Sequence, residues 1–169
     1  MMFRAVVPAF LLLLAACHDD GRNAPVPPPQ AITDSAVAQF CGMSLTEHPG
    51  PKGQVFLRGD SKPLWFSSVR DTVAYTMLPE MPKSVAVIYV TDMARTTEWN
   101  HPLNGPWVNA RKAVFVIGSN RQGGMGADEA VPFSDPAAAQ RFVDSYGGHI
   151  VSFAHIPQSY VLGSAGGHS

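Results

Sequence analysis

The chain has 169 residues, is 46% apolar and 15% charged, and carries a formal charge of −1 at neutral pH. Such a composition folds rather than stays disordered, at the size of one ordinary domain or two very small ones. A charge so near zero gives no electrostatic reason to bind nucleic acid.

Residues 1–16 read as a secretion signal. One positive charge at Arg4 precedes the apolar run AVVPAFLLLL, which is too short to cross a bilayer as a helix. Leu14-Ala15-Ala16-Cys17 resembles a bacterial lipobox. That resemblance implies cleavage before Cys17 and lipid on its sulfur and amino group, a tether that does not span the membrane. Which membrane holds the anchor stays open. Residues 17–30 then form a lipid-anchored linker. Its GRNAPVPPPQ stretch favours polyproline II and reaches roughly 30 Å as a spacer.

The first folded segment is 31–95. Lys52–Leu57 (KGQVFL) reads as a strand, and Asp60 or Ser61 as the cap of a helix over Lys62–Met77. Phe66, Val69, Val73 and Met77 give that helix an apolar side. Pro79 and Pro82 stop it, and Val85–Val90 is continuous enough for a central strand. Residues 96–106, rich in Pro, Asn and Gly, form a connection. The second segment is 107–157. Ala113–Ile117 and Glu129–Phe133 read as strands, and Asp135-Pro136 as a cap followed by proline at the first helical position. Gly147-Gly148 ends that helix before a last strand over Ile150–Ile156. Each half therefore reads strand, strand, helix, strand (ββαβ), an α+β pattern in which two small units lean on each other. Residues 158–169 are expected to be a flexible tail.

The cysteine count directs the chemistry. With Cys17 lipidated, Cys41 is the sole remaining thiol, so no internal disulfide forms, and a lone thiol in an oxidising compartment is either buried or used. Cys41 and Met43, taken as an extended pair, aim two sulfurs to one side. Soft sulfur ligands select Cu(I), whereas zinc would want further Cys or His at finger-like spacing. The glycine-rich Gly123–Ala127 places Met125 before a strand, as the CGM stretch precedes one in the first half. Approximate symmetry would bring Met125 to face Cys41 and Met43. His48 is either a further ligand or an orienting residue for its own loop. His101, His149 and His155 read as structural or surface residues, and His18 and His168 lie near the ends. Met77 reads as core. Met81, Met93 and the three tryptophans read as packing more than docking residues, with Asp128 and Glu129 solvating a loop or adding acidity near the metal.

These stretches together resemble the nitrous oxide reductase accessory protein NosL family: FCGMSLTEHPGPKGQ, YVTDM, and GGMGADEAVPF followed by AAAQRF and YGGHI. The resemblance implies two related ββαβ halves similar to a domain of organomercurial lyase. It implies a periplasmic lipoprotein that binds Cu(I) through Cys41, Met43 and Met125. It also implies docking on a membrane ABC-type NosDFY complex that helps mature nitrous oxide reductase. Two other readings of the residues remain: a thiol-dependent redox or transfer protein using Cys41, and a metal-free assembly scaffold.

Overall fold

The computed structural model describes residues 25–96, 98–100, 102 and 105–163. Two small antiparallel sheets carry the fold. In the first, β1 (Gly53–Leu57) lies between β2 (Leu64–Phe66) and β3 (Val85–Thr91), and α1 (Val69–Met77) crosses from β2 to β3. In the second, β5 (Val114–Ile117) lies between β6 (Val131–Phe133) and β7 (His149–Ser152), and α2 (Pro136–Tyr146) makes the same crossing. Both units have the order second, first, third strand, so the repeat expected from the sequence is a repeat of topology.

Several boundaries differ from expectation; the last strand, for one, ends at Ser152, and Phe153–His155 form a 3-10 turn. The first helix begins at Val69, not Lys62, because Leu64–Phe66 instead pairs with β1 (Gly53 opposite Phe66) and satisfies backbone groups a helix would leave unpaired. Its cap is Ser68, whose Oγ accepts from the Asp71 amide at 3.0 Å. Next, β4 (Trp107–Asn109) follows the connection yet pairs with β3, so the first sheet takes its fourth strand from beyond Pro106. Finally, Gln158–Leu162, expected in the flexible tail, form a short helix, α3, that packs on α1. Its Tyr160 hydroxyl donates to the Glu129 carbonyl and accepts from the Gly118 amide. Residues 164–169 lie outside the described residues.

The proline-rich linker is not wholly a free spacer either. The Tyr89 hydroxyl donates to the Pro27 carbonyl at 2.9 Å, and Gln30 exchanges two hydrogen bonds with the buried Gln54 side chain. Its last residues are therefore docked on the first sheet.

The two halves share one core. Alternation along β5 sends Phe115 and Ile117 to the first half, where they meet Val55, Phe66, Val73 and Ile88, and sends Val116 to α2. Full burial of a side chain such as Phe115 is worth about 1.5–3 kcal/mol. Met77 and Met81 pack against this shared core and Met93 against the smaller cluster beneath α2. Neither half closes its core alone.

Candidate metal centre

A short hairpin before β1 carries the first two candidate ligands. Val37 bridges Ser44, the Ala38 amide donates to the Met43 carbonyl at 2.9 Å, and the Gly42 amide to the Ala38 carbonyl at 2.8 Å. Cys41 is thus in the turn, and Gly42 has φ 68, in the left-handed region glycine favours. The extended geometry expected for Cys41 and Met43 is replaced by this turn. Its effect is to put Cys41 on the surface with Met43, which is 39% exposed. Buried Ala36, Ala38 and Leu45 pin the hairpin to Trp65, and Phe40 sets its ring edge-on against Phe66 at 5.5 Å.

His48 stands beneath the turn, 4% exposed, with Nε2 4.0 Å from Cys41 Sγ. That separation is near two metal–ligand bonds laid end to end, roughly 4.3 Å for a thiolate and an imidazole on zinc. An ion between the two atoms therefore needs little movement of either. No group of three His, Cys, Asp or Glu side chains suited to a metal occurs among the described residues.

The second half reaches His48 through its glycine-rich loop. Gly124–Gly126 form a single 3-10 turn, closed by the Gly123 amide donating to the Ala127 carbonyl at 2.9 Å. A Cβ added to Gly124 would stand 3.2 Å from His48 Cβ and 3.4 Å from Nδ1, so backbone lies directly on the ring. Met125 follows in that turn; its side chain lies outside the described parts of the structure. The structure thus brings Cys41 and His48 to the backbone turn of Met125, with Met43 exposed on the same hairpin as Cys41. Gly124→Val is expected to cost about 2 kcal/mol by overpacking. It should also displace the imidazole, seen as a lower urea midpoint and a shifted His48 ring resonance.

Two buried ionisable side chains hold these loops, and the sequence did not announce them. Lys52 is fully buried, and its Nζ donates to the carbonyls of His48 (2.7 Å), Pro49 (3.1 Å) and Gly50 (2.7 Å). All three ammonium protons are thereby used, and the EHPGPK turn is wrapped round one cation. Burial lowers the Lys52 amine to about 8, against the pull of Glu129 in the opposite direction. Glu129, expected to solvate a loop, is 1% exposed instead. Its Oε1 accepts from the Arg70 and Ala130 amides, both at 2.9 Å, and Oε2 has no partner among the described residues. Burial pushes its carboxyl up to about 8 despite those amides and Lys52. A lysine four residues after His48 in a Gly/Pro turn was the available signal for this strut.

Trp99 spans both loops. Its carbonyl accepts from the Gly50 amide at 2.7 Å, and its indole Nε1 donates to the Gln122 carbonyl at 3.2 Å. His149 is exposed on β7, and His155 bonds Ser152 at the surface, away from the Cys41–His48 pair. Cys17, His18, His101 and His168 lie outside the described residues.

A pair of ββαβ units holds a surface thiol beside a buried imidazole, against the backbone turn that carries Met125. The profile of the NosL family matches residues 29–161, and the chain belongs to that family. It is 47% identical to the copper-binding lipoprotein NosL of Achromobacter cycloclastes over 93% of this chain and 81% of that one. It is 35% identical to the protein of the same name from Stutzerimonas stutzeri, over 81% and 70%. Among solved structures, it is similar to the crystal structure of the copper chaperone NosL from Shewanella denitrificans. The TM-score is 0.71 at 35% identity, covering 80% of this chain and 99% of that one.

Proposed function

We propose that the protein is a periplasmic, lipid-anchored Cu(I) carrier that supplies copper for maturation of nitrous oxide reductase. The observation that carries this reading is Cys41 Sγ beside His48 Nε2, with the Met125 turn of the other half against the same imidazole. Cys41 supplies an anionic sulfur, Met43 and Met125 neutral thioethers, and His48 an imidazole. That donor set is soft enough to prefer the cuprous ion. Relatives named copper-binding lipoproteins support both the metal and lipid at Cys17. Among the described residues no helix is long and apolar enough to cross a membrane.

Exposure of Cys41 and Met43 suits hand-over by exchange. Sulfur or imidazole groups of an acceptor enter from the open side while the thioethers leave. The acceptor is a NosDFY-type membrane ABC complex, or the reductase reached directly or through it. Anaerobic Cu(I) titration tests the ligand set. Met43→Leu and Met125→Leu are each expected to weaken binding about tenfold, the cost of about 1.4 kcal/mol, while Met77→Leu leaves it unchanged. Equal affinity in all three would remove the thioethers from the site.

The exposed Cys41 thiol beside His48 also favours a second reading, a thiol enzyme. At 4.0 Å the two groups stand at the outer limit of a hydrogen bond to sulfur, longer than the contact of an activated nucleophile–base pair, about 2.6–3.2 Å. Metal-free turnover that depends on Cys41 would establish the enzyme instead. A metal-free scaffold would keep its function in the Met43→Leu and Met125→Leu variants.

A further inference from the structure

A groove on the second half is built for an occupant that the copper site does not explain. Met93, Trp99 and Phe142 line it, and it opens into a wider hollow of about 510 Å³ beneath α2. Phe142 stacks on Trp99 at 6.2 Å and packs against Tyr146 at 4.7 Å, giving a continuous aromatic wall. Arg121 lies over that wall, its guanidinium carbon 4.3 Å from the Trp99 ring and 5.2 Å from Tyr146. Stacking fixes the guanidinium plane, so its N–H edge is preorganised for a carboxylate fork. Arg95 and Arg141 line the same hollow, and among the described residues no Asp or Glu does. Arg141 meets one carboxylate, Asp135, at 3.8 Å, and both side chains are largely exposed, which makes that pair weak.

We propose that this groove docks a partner protein through a segment carrying paired carboxylates beside an aromatic or long apolar side chain. Three cations with no lining anion set the charge of the occupant, and the aromatic wall with Met93 sets its apolar anchor. Concavity selects a peptide over a bilayer. A membrane surface takes up projecting apolar side chains, whereas Met93 and Phe142 are recessed and only partly exposed.

Trp99 connects the groove to the copper loops. The Trp99 indole lines the groove and donates to the Gln122 carbonyl in the loop ahead of Met125, while the Trp99 backbone carbonyl accepts from the Gly50 amide in the turn after His48. An occupant that moves Trp99 therefore strains both loops around the imidazole. Docking then speeds release of the metal, an extension that rests on the carrier reading.

Selection of a random dodecapeptide library on the full chain in detergent micelles tests the docking. Enriched peptides should pair Asp or Glu with Trp, Phe or Leu and bind less tightly as salt rises. Arg121→Ala should weaken them about tenfold, a loss of about 1.4 kcal/mol. Arg121→Lys should fall between, since it keeps charge but loses the stacked fork. Cys41→Ser should bind the peptides unchanged, so failure of the copper reading leaves this result standing. Neutral or basic consensus peptides, no enrichment, or equal binding to the Arg95→Ala/Arg121→Ala/Arg141→Ala triple variant would each overturn the proposal. So would a preference for phosphatidylglycerol over phosphatidylcholine vesicles that the triple variant loses and that no peptide displaces. Unchanged Cu(I) transfer rates with a bound peptide would overturn the coupling through Trp99.

Discussion

Cys41→Ser is expected to weaken Cu(I) binding by about 100-fold or more, the upper end of what even supporting residues of metal sites cost. Serine keeps the size of the side chain but offers a hard, protonated oxygen in place of a soft thiolate. The side chain is exposed on a turn whose position is fixed by Leu45, Ala36 and Ala38, so the substitution should leave the fold intact. Unchanged thermal unfolding of the metal-free variant would confirm that separation. Because the metal displaces a proton from sulfur, affinity should also fall as pH falls, by up to about tenfold per unit. Cys41→Ser should lose that pH dependence along with the affinity. A variant that binds as tightly as the parent in anaerobic competition with a chromophoric chelator would remove Cys41 from the site.

Stability is expected to fall as pH rises from about 4.5 to about 8, and Glu129→Gln to abolish that fall. The folded chain retains the Glu129 proton up to about 8, whereas the unfolded chain releases it near the ordinary value of 4.5. Below 4.5 both states hold the proton and burial carries no charge penalty. Between the two values the unfolded state is increasingly favoured, up to about 5 kcal/mol for a shift of this size. Glutamine resembles the protonated side chain and has nothing to release. Lys52 acts in the opposite direction at higher pH. Its folded value of about 8 lies below the ordinary 10.5, so stability it withholds near 8 returns as pH rises toward 10.5. A minimum of stability near pH 8 follows. Urea midpoints measured from pH 4.5 to 10 for parent and Glu129→Gln decide it. Parallel curves across the lower limb would mean that Glu129 is charged when folded.

Much of the architecture was legible because it rests on local patterns. The alternating β5, the Asp135-Pro136 entry to α2 and the Gly147 exit are each signalled within a few residues. Leu64–Phe66 was misread because its apolar residues continue the three- and four-residue spacing of α1. Only pairing with the free edge of the preceding β1, which no spacing within the segment reveals, assigns them to a strand. The same limit hid β4, whose partner β3 lies across the connection.

At the site, residue types were legible and backbone form was not. Cys41, Met43 and His48 stand out by chemistry. The left-handed Gly42 and the contact of Gly124 with His48 depend on how two separate loops meet. Lys52 and Glu129 escaped for a physical reason. Charged residues in a Pro/Gly-rich stretch read as solvated, and only a complete set of carbonyl acceptors makes burial of Lys52 tolerable. Trp99 looked like loop packing because its two tethers lie on opposite halves.

The late arrival of β4 in the first sheet has a practical corollary. Severing the polypeptide inside 96–106 leaves one fragment lacking an edge strand and the other exposing Phe115 and Ile117 to water. Neither piece is then a product worth expressing separately, but co-expressed they offer complementary surfaces. A split version of the molecule would report reassembly by regaining both its sheet and its metal pocket at once.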